Sequence, residues 1–199
     1  LHKSRATAVE SQRNTNSSDK ILSIATRIAQ AHGYGGLSVR RLAEEVGVKP
    51  ASLYHHFPSK AALAAAVARR YWENSSTQLE ELLNRLPDPT DCLRRYPNMF
   101  RKALENDNRI CLCSFMTAEY DDLPENVRQE VRTFSDVHIT WLAKVLASAG
   151  IVNPNIAKER AQAIYAAITG AQLMARGRSD LSLFDTLITS YRATGLLPA

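Results

Sequence analysis

Throughout the chain, apolar residues recur at intervals of three and four, the spacing of one buried face of an α-helix. Ile21, Ala25, Ile28 and Ala29 show this spacing near the N-terminus, and the apolar positions of 127–145 repeat it. No segment sustains the alternation of apolar and polar residues that marks a half-buried strand. Because Gly, Pro and capping Ser residues punctuate the pattern at short intervals, the sequence predicts an all-α fold of about nine helices.

Charge is distributed unevenly over the 199 residues. Residues 1–70 carry 11 Lys and Arg against 4 Asp and Glu, whereas residues 71–199 carry 14 against 16. A basic N-terminal third on a nearly neutral body predicts a dedicated module for a polyanion. A solvated basic tail is the alternative, since residues 1–17 are rich in Ser, Thr, Asn and Gln and are predicted to form a disordered arm. The positive excess persists when that arm is left out.

Cysteine usage and hydropathy bear on the cellular location. The chain has 3 Cys, an odd number that does not suit a disulfide framework and fits a reducing compartment. No apolar run approaches the roughly 20 residues of a membrane span, and no secretory signal is visible. We therefore expect a cytoplasmic protein.

The segment from Val39 to His56 has the layout of a helix-turn-helix. Ala43 is small where the two helices would cross, and Gly47 can adopt the left-handed conformation that the tight turn needs. The second helix would then begin near Lys49 and point its N-terminal end at base edges in the DNA major groove. A bare helical hairpin with solvated charges is the alternative. The predicted DNA contacts are Ser38, Arg40, Arg41, Lys49, Ser52, Tyr54, His55, His56 and Lys60.

The same residues carry a resemblance. The run Val39-Arg-Arg-Leu-Ala-Glu-Glu-Val-Gly-Val-Lys-Pro-Ala-Ser-Leu-Tyr-His-His-Phe-Pro-Ser-Lys60, followed by Leu63, closely resembles the TetR family of bacterial transcriptional repressors. Its most specific part is Leu53-Tyr54-x-His56-Phe57-x-Ser59-Lys60. The resemblance covers residues 18–66, which it identifies as a DNA-binding domain, and leaves 67–199 as a ligand-binding and dimerisation domain.

The resemblance implies an all-helical homodimer, an operator with two half-sites and a small molecule that releases the protein from DNA. By position, it implies that Tyr54, His56 and Lys60 contact phosphates and that Lys49, Ser52 and His55 lie near bases. Lys49-Pro50 departs from the family pattern, which often has Ser or Thr followed by a small residue there.

Large and semi-polar residues in the middle helices are candidates for an effector cavity. Aromatic rings with a few polar groups are typical of ligand sites, and each residue taken singly suits a core equally well. They predict a small, largely apolar or aromatic effector. The predicted ligand-binding residues are Phe115, Met116, Tyr120, Phe134, His138, Trp141, Tyr165 and Gln172. In addition, Tyr165, Thr169, Gln172 and Arg176 fall near one stripe of a helix, which either lines a cavity or faces solvent.

Small residues at four-residue spacing predict a contact between two copies of the chain. They allow two helices to approach closely, and the last helix adds an apolar stripe. Ordinary packing within the chain is the alternative. The predicted interface residues are Ala163, Ala167, Ala171, Ala175, Phe184, Leu187, Ile188 and Tyr191.

The sequence leaves several alternatives to a ligand-controlled repressor. Cys111 or Cys113, near Arg109, would serve a repressor that senses electrophiles or oxidants, with buried inert thiols as the alternative. A helical enzyme is a distant alternative, because the chain has no H-E-x-x-H, P-loop or G-x-S-x-G motif. No cofactor or metal site is predicted. A helix-turn-helix protein without ligand control, and activation instead of repression, both stay open.

Overall fold

The computed structural model describes the backbone of residues 2–199 and the side chains from Ser17 onward. Within this part the chain is all-α, as predicted, with ten α-helices and two short 3₁₀ turns at Tyr120–Asp122 and Pro154–Ile156. The helices are α1 (His2–His32), α2 (Val39–Val46), α3 (Pro50–His56), α4 (Lys60–Arg85), α5 (Pro89–Arg95), α6 (Asn98–Glu105), α7 (Leu112–Ala118), α8 (Glu125–Ser148), α9 (Ala157–Arg178) and α10 (Leu181–Ala193).

Two helix boundaries differ from the sequence prediction. Helix α1 begins at His2, so it includes most of residues 1–17, the arm that we expected to be disordered and to precede the first helix. No Gly or Pro precedes Gly33 to interrupt a helix there. The residues from Thr90 to Glu105, which we expected to form a single one of the nine predicted helices, are split into α5 and α6, because Pro97 lacks the N–H that a continuous helix would need.

None of the helices in the described part of the chain is long and apolar enough to cross a membrane.

The first of two hydrophobic cores joins the N-terminal helices to the body. It contains Ile21, Leu42 and Leu53 from α1, α2 and α3, all less than 3% exposed. It continues into the body through Met116 of α7 and Val127 of α8. The second core lies among α5, α6, α8, α9 and α10. The N-terminal helices therefore share buried surface with the helices that follow, and the domain boundary at residue 66 stays a prediction.

A buried carboxylate ties α8 to α4. Glu130 is 7% exposed and accepts hydrogen bonds from Arg69 Nε at 3.0 Å and from Trp72 Nε1 at 2.8 Å. Burial alone would raise the pKa of the Glu130 carboxyl, but the two hydrogen bonds and the Arg69 charge outweigh it and lower that pKa. The ionised form is thus the one that joins the two longest helices of the body.

We expect Glu130→Gln to lower the free energy of unfolding by about 1–3 kcal/mol, because it removes charge-assisted hydrogen bonds from a buried site. Chemical denaturation at neutral pH measures this change. Glu81→Gln is the matched control, since Glu81 pairs with Arg85 on the exposed surface of α4 and such pairs contribute little. Equal stability of the two variants would contradict the assigned role of Glu130.

Candidate nucleic-acid interface and body cavities

The turn between α2 and α3 has the geometry that the sequence predicted. Gly47 lies in the left-handed region with φ of 81°, and its N–H donates to the Ala43 carbonyl at 3.0 Å. The Val48 N–H donates to the same carbonyl at 2.9 Å. This left-handed cap closes α2 and reverses the chain within a few residues. The helix-turn-helix is therefore present at the expected residues.

Helix α3 is anchored on one side and open on the other. Leu53 is 2% exposed and packs into the first core. Lys49 precedes the helix as its N-cap without a side-chain capping bond, and Pro50 occupies the first turn. Lys49, Ser52 and His55 are exposed, and Tyr54 is 50% exposed. The N-terminal end of α3 is accordingly free to approach a partner.

The N-termini of α2 and α4 flank this surface. Ser38 Oγ accepts from the Arg41 N–H at 3.4 Å, and Ser59 Oγ accepts from the Ala62 N–H at 3.0 Å. Both serines are exposed, as are Arg40 and Arg41. Helix N-termini with free N–H groups are suited to binding phosphate. The nine predicted residues thus lie on or beside α2, α3 and the start of α4, and their contacts with DNA stay a prediction.

Lys60, predicted to contact phosphate, is half-buried beside the turn between α1 and α2. Its Nζ donates to the Gly35 carbonyl at 3.3 Å and lies 4.4 Å from the centre of the Tyr34 ring. We call residues 33–36 the α1–α2 turn. Lys60 therefore links this turn to the N-terminus of α4.

A carboxylate from the body holds the other side of the α1–α2 turn. Glu119, which caps the C-terminus of α7, accepts from the Tyr34 N–H at 2.6 Å and from the Gly35 N–H at 3.1 Å. Gly33 has a φ of 66°, and a Cβ at that position would lie 2.2 Å from Glu119 Oε2. Glycine is thus required for the carboxylate to approach. Glu119 was not predicted from the sequence, because it is distant in the chain from this turn.

Two cavities of the body are each lined by three or more of the predicted ligand-binding residues. The inner cavity has a volume of about 220 Å³ and lies where α4, α6 and α8 meet. The second, which we call the α7–α9 cavity, has a volume of about 570 Å³. Its lining is mainly apolar, and it is bordered by α7, α8 and α9. Ligand sites usually occupy about 300–1,000 Å³, so the α7–α9 cavity has the volume of an effector site.

The predicted ligand-binding residues divide between these places. The inner cavity is lined by Phe134, His138 and Gln172, and the α7–α9 cavity by Phe115, Tyr120, Tyr165 and Gln172. The α7–α9 cavity is also lined by the whole polar stripe of α9 noted in the sequence, which consists of Tyr165, Thr169, Gln172 and Arg176.

Two predicted ligand-binding residues lie away from both cavities. Met116 is fully buried in the first core. Trp141 donates from Nε1 to the Leu79 carbonyl at 3.1 Å and stacks on Tyr96. Both side chains fill core space, which is the alternative that the sequence left open for each of them, and Trp141 also borders a third cavity between α4 and α8. Residues that line the cavities but were not predicted include Tyr71, Phe100, Ser114 and Val131.

Two protein-family models match this chain. A model described as bacterial regulatory proteins, tetR family, matches residues 21–67. A second, described as transcriptional regulator LmrA/YxaF-like, C-terminal domain, matches residues 89–189, just over half of the chain. This chain belongs to the TetR family of transcriptional regulators.

Individual relatives agree with this assignment. The HTH-type transcriptional regulator LmrA of Bacillus subtilis is 32% identical over 82 residues, which cover 41% of this chain and 44% of LmrA. The HTH-type transcriptional repressor AcnR of Corynebacterium glutamicum is 46% identical over 55 residues, 28% of this chain and 29% of AcnR. The chain thus spans less than half the length of these relatives.

A solved TetR-family regulator from Agrobacterium tumefaciens superposes with a TM-score of 0.83 at 28% identity, covering 90% of this chain and 97% of that one. The TetR-family fold therefore extends over the body as well as the helix-turn-helix.

The residues predicted to join two copies of this TetR-family protein lie on α9 and α10, and their contact with a second copy stays a prediction. Half of the predicted set is buried between α9 and α10 of the same chain, namely Ala171, Ala175, Phe184 and Ile188. Tyr191 donates from its hydroxyl to the Ala167 carbonyl at 3.3 Å, and Leu187 is half-buried. Ala163 is exposed. Packing within the chain, the stated alternative, accounts for the buried half of the set.

The cysteines near the cavities are not activated. Burial raises the pKa of the Cys111 thiol and raises that of Cys113 well above its usual range. Arg109, expected to favour a thiolate, lies 3.9 Å from the Asp107 carboxylate. All three Cys are buried and free. Among the residues with described side chains, no three His, Cys, Asp or Glu groups converge as a metal site requires.

His138 lies in an aromatic enclosure on the inner cavity. Its Nδ1 is 2.9 Å from the Tyr96 hydroxyl, and its ring centre is 4.4 Å from that of Phe134. Its Nε2 is buried without a hydrogen-bond partner among the described residues. Because burial disfavours the charged form, the pKa of His138 falls from 6.5 to about 3. The imidazole is therefore neutral at physiological pH.

This burial makes stability depend on pH. Below pH 6.5 the unfolded chain binds a proton at His138 that the folded chain does not bind until about pH 3, so acidification favours unfolding. We expect the free energy of unfolding of the parent to fall with decreasing pH more steeply than that of His138→Gln, by up to about 1.4 kcal/mol per pH unit. Denaturation curves between pH 7.5 and pH 5 measure both slopes. Equal slopes would show that His138 titrates normally in the folded state.

Proposed function

We propose that this TetR-family protein is a homodimeric repressor that binds an operator with two half-sites and leaves it when a small molecule enters the α7–α9 cavity. The observation that carries the proposal is the position of Glu119. This residue ends the helix that borders the cavity and holds the turn that precedes the helix-turn-helix.

The DNA-binding half of the proposal rests on exposure and charge. The N-terminal end of α3 is uncovered, and the N-terminus of α2 beside it carries the exposed Arg40 and Arg41. The body, residues 71–199, has no positive excess. A duplex is thus attracted to the N-terminal helices, with α3 entering the major groove.

The proposal that an effector releases the protein from DNA rests on the position of α7 between the α7–α9 cavity and Glu119. This helix supplies Phe115, Thr117 and Ala118 to the wall of the α7–α9 cavity, and Glu119 follows directly. A ligand that displaces α7 shifts the carboxylate that holds Tyr34 and Gly35. The α1–α2 turn then loses a charged partner, and the helices that read DNA lose a fixed position relative to the body.

Dimerisation fits the outer face of α9. Ala163, Gly170 and Gly177 are exposed and small, and Met174 on the same stripe is 51% exposed. This exposed stripe lies on a different face of α9 from the predicted stripe of Ala163, Ala167, Ala171 and Ala175, with which it shares Ala163. Two copies related by a two-fold axis would bring such stripes together and space two α3 helices for two half-sites.

Two rival functions have less support. A thiol-sensing repressor would need a thiolate, and burial raises the pKa of Cys111 and Cys113. A helix-turn-helix protein without ligand control would have a fully packed body, whereas this body holds a cavity of about 570 Å³.

Lysine substitutions test the DNA-binding surface on a duplex selected from random-sequence DNA by rounds of binding to the parent protein. We expect Lys60→Ala to weaken binding to all duplexes alike and to reduce the slope of log K against log salt by about 1. Lys49→Ala should change the ranking of operator variants, at a cost of about 1–3 kcal/mol on the preferred one. Fluorescence anisotropy over a salt series measures both effects.

Lys158→Ala is the control, because Lys158 is exposed on the body at the start of α9. It should bind DNA as the parent does, and sedimentation should find an even number of chains on each duplex. A loss in Lys158→Ala equal to that in Lys60→Ala, or an unchanged salt slope in Lys60→Ala, would count against the proposed surface.

A further inference from the structure

We infer that the α7–α9 cavity binds a ligand with an apolar or aromatic body and a carboxylate, and that the carboxylate is held by Arg176. This inference rests on the proposed function and adds the chemical class of the effector. It keeps the largely apolar or aromatic body that the sequence predicted and adds a negative group to it.

The charged residues that line the cavity are all basic. Arg132 of α8 and Arg176 of α9 both line it, and no Asp or Glu occurs among the described lining residues. The rest of the wall is largely apolar, with Phe115, Val131 and Leu173 among its members. Such a wall favours a ligand that buries a hydrophobic body and presents a negative group to the arginines.

Arg176 has a hydrogen-bond donor that is available to a ligand carboxylate. Its Cζ lies 4.7 Å from the centre of the Phe115 ring, a cation–π contact that holds the guanidinium beside the cavity wall. Its Nη1 is buried and has no hydrogen-bond partner among the described residues. A buried donor without a partner costs free energy, which an acceptor from a ligand would recover. A carboxylate suits the planar fork because it accepts two parallel N–H bonds.

Arg132 is already engaged. Its guanidinium is ion-paired with Glu125, and its Nη1 lies 3.4 Å from the Tyr120 hydroxyl. Its side chain is 49% exposed. Arg132 therefore contributes to the field at the cavity rim, whereas Arg176 supplies the unused donor. The two arginines form a matched pair for a test.

The test compares acids with neutral analogues of the same shape. The probes are naphthoate against naphthamide, and decanoate against decanamide, each titrated into the full chain by isothermal calorimetry. At least one acid should bind ten-fold or more tightly than its amide. Arg176→Gln should abolish this preference, Arg176→Lys should retain part of it, and Arg132→Gln should leave most of it. Thermal melting verifies that each variant is folded.

Several results would overturn the inference. They are equal binding of acid and amide, binding of neither pair, or a preference that survives Arg176→Gln and disappears in Arg132→Gln. Adding the same probes to the protein–operator complex separates the two proposals. An acid that binds through Arg176 without releasing DNA supports the ligand class and contradicts the proposed release. An amide that binds equally well and releases DNA supports the release and contradicts the ligand class.

Discussion

The Glu119 carboxylate on the α1–α2 turn is the interaction on which the arrangement of the molecule depends. Two successive backbone N–H groups converge on it, from Tyr34 at 2.6 Å and from Gly35 at 3.1 Å. Charge-assisted bonds of this kind are stronger than neutral ones. They form here because Gly33 has no side chain and adopts a positive φ. On the opposite side of the turn, Lys60 donates to the Gly35 carbonyl. One short turn thus connects the body with a predicted phosphate contact.

The first core couples the Glu119 contact to the position of the DNA-binding helices. The helices that present α3 to solvent bury their apolar faces against α7 and the first half of α8, and Glu130 joins α8 to α4 through Arg69 and Trp72. Packed interiors do not deform continuously, so a shift of α7 passes to its neighbours as a change of position. The wall of the α7–α9 cavity and the α1–α2 turn are therefore parts of one packed unit.

Local signals made the fold and the DNA-reading surface predictable from sequence. Apolar spacing located the helices, Gly47 located the tight turn, and Ser38 and Ser59 located two helix starts, because each of these depends on neighbours a few residues away. The split at Pro97 had an equally local cause that the prediction passed over.

Features that depend on distant residues were not predictable in this way. Glu119 meets Tyr34 across 85 positions of sequence, and a carboxylate after α7 has no local pattern that points to a turn. Whether an aromatic residue lines a cavity or fills a core is decided by packing, as Trp141 and Tyr165 illustrate. The polar stripe of α9 lines a cavity, one of the two alternatives that the sequence left open, because Thr169, Gln172 and Arg176 on an apolar helix need either solvent or a cavity.

The central claim is that filling the α7–α9 cavity changes the position of the DNA-binding helices, and so the operator affinity, through the contact of Glu119 with the α1–α2 turn. A double-mutant cycle on operator affinity tests it, with Thr169→Phe to fill the cavity, Glu119→Gln to weaken the contact with the turn, and Asp122→Asn as a nearby exposed control. The account predicts that Thr169→Phe weakens DNA binding about ten-fold in the parent and in Asp122→Asn, and has little further effect in Glu119→Gln. Additive effects of Thr169→Phe and Glu119→Gln, within about 0.5 kcal/mol, would contradict it.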